Sequence, residues 1–484
     1  MHAGADEVGS VRLGDVVSKE IEFDAANIPA QAANVGDTNP LHHDTPYPAP
    51  AVGWYATVML GFLYWLSVLD RFIISLLVDP IKRDLGLTDV QFGMLHGLAF
   101  VGAFTLFGLV FGALADRVNR RKLIYIGVTI WSIATAFCGV VQNFWHLLIA
   151  RIGVGVGEAS LNPSATSMIA DLFPRRKLTM AMAVYALGAT VGSGSALMIG
   201  GAIVELVSHM GTIAVPLIGE IHPWQAVFFI VGAPGALLAL SIFTVPEPLR
   251  RDQRTQPVHA NWIASYAGLF KFMKQRPRFF LCHYLGFTFA SAVITGGTAW
   301  YPVHISRTFG WTAGEIGGAL GSSLMIAGIV AKLACGLAAD TMYRRGYRDA
   351  QLRWYGICLA LATPIGVFAA LSGNAWTFVI VIGVFMTMIG SMQACSMTAL
   401  NLVTPNELRG SGVAVFSTFA GMIGGSAGPV LIAATSQFGG QSIGVGLAVM
   451  IGICCPLGAL CLLLGLRSMR EAMAEVENPP APAS

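Results

Sequence analysis

A succession of apolar runs, each about as long as a bilayer is thick, constrains this chain more than any other feature. The runs lie at about 54–78, 90–114, 122–141, 143–169, 178–207 and 224–246, and again at about 278–303, 312–339, 353–370, 375–402, 411–436 and 442–466. A spanning helix needs about 20 mostly apolar residues, and lipid forces its backbone polar groups to pair within the segment. Charged residues are only 11% of the 484, whereas a soluble domain carries about 25%. The expected fold is an all-α polytopic membrane protein, with twelve transmembrane helices in two six-helix halves.

The remaining charges set the topology. Arg117, Arg120, Arg121, Arg344, Arg409 and Arg467 fall in loops of one side, together with the basic linker, while the opposite loops hold Lys82, Arg83 and Arg307. Basic loops stay cytoplasmic, so both termini are expected inside, in a plasma membrane (the inner membrane of a bacterium). The expected divisions are a disordered acidic tail over 1–52, a first half over 53–246, a linker over 247–277, a second half over 278–467, and a cytoplasmic tail over 468–484. The first 49 residues hold eight acids against Arg12 and Lys19, and a short helix is expected over about 11–23. In the linker, Trp262, Ile263, Tyr266, Leu269, Phe270 and Met273 recur at helical spacing, which predicts an amphipathic helix lying at the membrane surface. Its plainer role is a mechanical tie between the halves.

One device occurs twice. Gly112-Ala-Leu-Ala-Asp116-Arg117-Val-Asn-Arg120-Arg121 follows the second run, and Gly336-Leu-Ala-Ala-Asp340 with Arg344-Arg345 follows the eighth. A small residue permits close helix approach, an aspartate sits at the membrane edge, and arginines secure the loop. These residues read as conformational latches between rigid six-helix units. The doubled motif resembles the signature of the major facilitator superfamily over about residues 53–467. Within it, Leu69-Asp70-Arg71-Phe72, Trp131-Ser132, Phe144-Trp145, Arg151 through Ser160, Asp171-Leu-Phe-Pro174 and Pro405-Asn-Glu-Leu-Arg409-Gly410 resemble the Spinster group of lipid transporters. That resemblance implies export of sphingosine-1-phosphate or movement of lysophospholipids, with proton coupling. The fifth run lacks the Gly-Pro pair of drug antiporters, and Gly428-Pro429 stands in the eleventh run instead.

Chemistry is concentrated where ionisable residues interrupt apolar runs. Such residues usually face a partner, a cavity or a transport path. Arg151 and Glu158 share a face of the fourth run, about 10 Å apart along the axis. Asp70 lies about 24 Å from the inner start of the first helix, and Arg151 about 12 Å from the outer start of the fourth, so an Asp70–Arg151 pair is expected. Glu158 sits two turns deeper, with no basic residue of the first half expected at its depth, and is the expected proton-sensitive group. Arg151 is expected to clamp an anionic headgroup, with Asp70 as its competitor. Arg71 points about 100° away from Asp70 and is expected elsewhere.

Arg71, His96, Lys332 and Gln393 are further candidates to line a cavity, with another helix or a lipid phosphate the plainer contact for Arg71. Helix packing is the plainer reading of His96, and Lys332 is expected to snorkel or to pair across the halves. Phe62, Tyr64, Trp65, Phe289 and Trp300 are candidates to wall an acyl-chain cavity. The eight cysteines lie in or beside apolar runs without metal-ligand spacing, so no metal and no cofactor is expected. Neither a nucleotide-binding loop nor a nucleophile–histidine–acid arrangement argues for an enzyme, and no nucleic-acid partner is expected.

The expected function is secondary active transport of a lysolipid-type anionic amphiphile by alternating access, with protons and membrane lipids as the other partners and a monomer as the expected state. The alternatives are proton-coupled transport of small carboxylates and a non-transporting membrane sensor or scaffold.

Overall fold

The computed structural model describes residues 47–115, 117–211, 213–215, 219–250, 262–405, 408–438, 440 and 442–477. The acidic tail through residue 46, its expected helix at 11–23, and Asp116 lie outside the described residues. The first half comprises α1 (Pro50–Leu76), the short α2 (Val78–Leu85), α3 (Asp89–Ala115), α4 (Arg120–Val140), α5 (Phe144–Ala159), α6 (Leu161–Leu172), α7 (Arg175–Ser208) and α8 (Pro223–Thr244). A two-stranded antiparallel hairpin in the loop before α8 pairs β1 (Ile213–Val215) with β2 (Gly219–Ile221), Ala214 opposite Glu220. The linker helix is α9 (Trp262–Gln275), and the second half runs through α10 (Pro277–Phe309), α11 (Ala313–Arg344), α12 (Ala350–Ala370), α13 (Ala375–Val403), α14 (Arg409–Phe438) and α15 (Ile443–Leu464). The expected tail at 468–484 begins as helix, because α16 (Leu466–Glu477) buries Met469, Ala472 and Met473.

Among the described residues, eleven helical segments are individually long and apolar enough to cross a membrane. The remaining crossing is α5 followed by α6, broken at Ser160. Pro163 explains the break. It has no N–H to donate to the Ala159 carbonyl one turn back, and its ring crowds that carbonyl. Ser160 fills part of the gap, its hydroxyl donating to the Gly157 carbonyl at 2.9 Å.

The halves meet along two seams, α3 against α14 and α7 against α11. Over part of each seam the backbones touch. A Cβ on Gly97 would stand 2.1 Å from the Ser426 carbonyl oxygen, and one on Gly194 2.4 Å from that of Gly321. Both α3 and α14 widen into π-helix at their seam, over Leu95–Gly102 and Ala420–Gly425. Toward the face that carries the basic loops the seams part, and a Cβ on Gly108, Gly112 or Gly336 would meet nothing within 4 Å. The expected close approach at the two motif glycines is therefore not made in this conformation.

At the opposite face the halves are tied by charge. Arg307 of α10 donates to Asp79 at 2.6 and 2.9 Å and to Asp89 at 2.9 and 3.0 Å. Lys82 adds a second cation to Asp89.

Candidate functional site

The buried ionisable groups of the first half gather between α1, α3, α4 and α5. Asp70, Arg151 and Glu158 are each about 1% exposed, and His96 is buried beside them on the π-helical turn of α3. Glycines let these helices close in. A Cβ on Gly155 would stand 2.5 Å from the Phe100 carbonyl oxygen on α3, and one on Gly157 2.6 Å from the Trp131 nitrogen on α4. Successive glycines of the Arg151–Ser160 stretch thus admit a helix on either side of α5.

The partners differ from those expected. Glu158 does have a cation at its depth: Arg71 Nη2 donates to Glu158 Oε2 at 2.7 Å, and Ser67 Oγ donates to the same oxygen at 2.7 Å. The 100° offset of Arg71 on α1 is overcome by the length of its side chain, which reaches Glu158 on α5. No Asp70–Arg151 pair forms. Asp70 Oδ2 accepts a long 3.5 Å bond from Thr135, while its Oδ1 has no partner. Arg151 has no ion-pair partner within 4 Å among the described residues, and its Nε and Nη2 lack hydrogen-bond partners. Glu158 Oε1 is likewise unfilled.

What holds Arg151 is an aromatic ring. Its guanidinium lies 4.8 Å from the Phe100 centroid, and the Arg71 guanidinium lies 5.1 Å from the same ring and 4.9 Å from that of Phe104. One phenyl ring thus gives a cation–π contact to both guanidiniums. Sequence reading missed Phe100, because one phenylalanine in an apolar run carries no signal. The nearest hint is its position four residues after His96.

The other candidates scatter. Lys332 of α11 donates to Thr190 of α7, across the seam. Gln393 is exposed on α13, beyond the break at Gly390–Ser391. Trp300 is buried in the second half, its Nε1 donating to the Pro429 carbonyl of α14 at 2.9 Å and its ring meeting Phe92 of the first half edge-on at 6.1 Å. A cavity of about 580 Å³ lined by Trp311, Glu315, Ser322, Ser323 and Trp376 lies in the second half. No cation lines it.

The latch residues form a distinct joint. Arg120 is fully buried, donating from Nε to Glu247 at 2.9 Å, from Nη1 to Ser167 and Asp171, and from Nη2 to the Pro248 carbonyl at 2.9 Å. Arg121 donates to the Val245 carbonyl at 2.9 Å. Glu247, placed by the sequence at the start of a linker, is thus the main acid of the joint. Arg117 and Arg344 are exposed, and the side chain of Asp340 lies outside the described residues.

Two six-helix units, tied at one face and parted at the other around a buried charge cluster, define a polytopic secondary transporter. Residues 60–429 match the Major Facilitator Superfamily, and the chain belongs to that family of transporters, which are not enzymes. It is 26% identical over 432 residues to an MFS-type efflux pump of Mycolicibacterium smegmatis, covering 88% of this chain and 95% of that protein. It is 30% identical over 259 residues to protein spinster homolog 1 of Xenopus laevis, covering 52% of this chain but only 45% of the relative. A solved bacterial homolog of the human lysosomal transporter Spinster, inward-facing and unoccupied, superposes with a TM-score of 0.71 at 24% identity, covering 90% of this chain and 100% of that one.

Proposed function

We propose that this chain is a proton-dependent transporter of a single-chain anionic amphiphile, of the lysophospholipid or sphingosine-1-phosphate type. The observation that carries the reading is Arg151, a buried guanidinium with unfilled donors and no carboxylate partner. Arginine stays charged and suits the oxygens of a phosphate or carboxylate. Glu158 and Arg71 form the exchangeable pair beside it. A proton taken up on the unfilled Oε1 of Glu158 neutralises that carboxylate and frees Arg71, so that two cations flanking Phe100 face the substrate's anionic group. Deprotonation returns Arg71 to Glu158 and weakens the hold.

The parted seams support a lipid over a compact acid, since each gives a side route between the halves toward one leaflet. With the basic face cytoplasmic, both termini are on the cytoplasmic side of a plasma membrane and the described conformation opens inward. The Mycolicibacterium efflux relative supports export, and the Spinster likeness supports an amphiphile as cargo.

The test is flux in liposomes with an imposed pH gradient, comparing lysophosphatidate, sphingosine-1-phosphate, and small carboxylates. Lipid flux that follows the gradient in the wild type, loses that dependence in Glu158→Gln and falls at least tenfold in Arg151→Gln is the expected result. Gradient-driven carboxylate flux with inert lipids would replace this reading by the organic-anion one. Tight amphiphile binding without flux of any solute would make the protein a sensor.

A further inference from the structure

We infer that Lys332 is an oxyanion-binding residue of the second half, placed at the α7–α11 seam to hold a phosphate group where that seam opens. The inference deepens the transport reading and rests on it in taking the cargo to be anionic.

Depth comes first. Lys332 stands twelve residues before Arg344, the last residue of α11, about 18 Å along the axis. A four-carbon stem cannot carry its ammonium to that end of the helix, so snorkelling does not account for it. Between Arg307 at the end of α10 and Arg353 in the first turn of α12, it is the one basic residue set among apolar ones and away from a helix end.

Its bonding is incomplete. An ammonium has three donors. The partner of Lys332 among the described residues is the Thr190 hydroxyl, whose own proton goes to the Ala186 carbonyl at 3.1 Å. No described carboxylate lies within 4 Å. Of the intramembrane cations of the first half, Arg71 pairs with Glu158 and Arg151 rests on Phe100. A cation with one neutral partner inside a bilayer calls for an anion.

Place supplies the rest. Along the seam a Cβ on Gly321 would lie 2.6 Å from the Gly194 carbonyl, one on Gly328 3.5 Å from Thr190 Cγ2, and one on Gly336 would meet nothing within 4 Å. Lys332 sits between the last contact and the first open position, and its side chain is exposed. A phosphate moving into the gap meets this ammonium on the second half. The phosphate can belong to a lipid headgroup or to a free anion.

The experiment measures binding to the full-length protein in phosphatidylcholine nanodiscs, using decyl phosphate, decyl maltoside and inorganic phosphate as probes. Wild type is expected to bind decyl phosphate about tenfold more tightly than decyl maltoside, the scale of one charge-assisted hydrogen bond. Lys332→Met should weaken decyl phosphate binding about tenfold with unchanged maltoside affinity, and Lys332→Arg should keep the wild-type affinity, which separates lost recognition from misfolding. Inorganic phosphate that competes as well as decyl phosphate supports the oxyanion site and assigns it to a free anion. Inorganic phosphate that competes poorly supports it and assigns it to a lipid. Full decyl phosphate affinity in Lys332→Met, or no preference in the wild type, overturns the inference. The liposome flux of the Arg151 and Glu158 variants reports on the transport reading separately.

Discussion

The two halves carry the same joint at the basic face with opposite sign. In the first half the buried group is a cation, Arg120 at the start of α4, held by Glu247 after α8 and by Asp171 at the end of α6. In the second it is an anion, Asp349 at the start of α12. Its side chain is fully buried, and it accepts from Arg353 at 2.9 Å and from Arg470 after the last crossing at 2.6 Å. Position and topology are retained while charge is inverted. Such a joint needs one buried ion satisfied by two of the other sign at the helix ends, and either sign meets that need. Inside the membrane the halves differ further. The first buries Asp70, Arg151 and Glu158 at mid-depth, whereas the buried polar groups of the second are neutral side chains apart from Asp349 at its edge.

The largest expected effect breaks the joints themselves. Arg120→Met leaves two acids facing each other and Asp349→Asn leaves two arginines, and each should lower unfolding stability by about 3–5 kcal/mol. Thermal unfolding in detergent checks this, and the inversion is tested by suppression. Glu247→Gln should restore part of the loss in Arg120→Met but none in Asp349→Asn, while Arg470→Met should do the reverse. Equal rescue by both would end the idea of opposite sign.

A smaller effect is expected at the charge cluster that only the first half has. Phe100→Leu removes the ring that both guanidiniums contact, a contribution of about 1–2 kcal/mol. Substrate affinity should change about tenfold, while the equivalent aromatic-to-leucine change at Phe289 in the second half should leave it unchanged.

The tie at the opposite face is more exposed, so Arg307→Gln should shift the conformational balance by only about 1 kcal/mol. Distances between spin labels on α2 and α11 would report the shift as a larger open fraction. A distribution identical to wild type would remove Arg307 from the gate.

Smallest on stability are Gly112→Ala and Gly336→Ala. Nothing lies within 4 Å of either new methyl, and alanine gains up to about 1 kcal/mol of helix propensity over glycine. Unfolding should be unchanged or slightly harder, yet flux should fall, because both seams must close over these positions in the alternate conformation. Wild-type flux in both variants would show that the motif glycines never reach a partner.

The architecture was legible because lipid leaves few choices. Apolar length gave the crossings, and the loop charges and doubled motif gave the two halves. Pairings inside the membrane were less legible. Helical wheel and depth put Arg71 on the wrong side, since they place Cα atoms and ignore the reach of an arginine. Glu247 was hidden because a residue just past a helix end has no periodicity to mark it. Pro163 was in plain view within the fourth run, but hydropathy sums over a proline without registering the bond it removes. The π-helical turn that aims His96 and Phe100 leaves no compositional trace.

The break at Ser160 separates two rigid rods that hydropathy counts as one. The rod before it holds Arg151 and Glu158, and the rod after it ends at Asp171 in the Arg120 joint. Ser160 itself keeps helical dihedrals, φ −74° and ψ −26°, so the break two residues from Glu158 is a lost bond rather than a bend. The bond removed by Pro163 thus lies between the stretch that carries the buried charges and the stretch that anchors the loop.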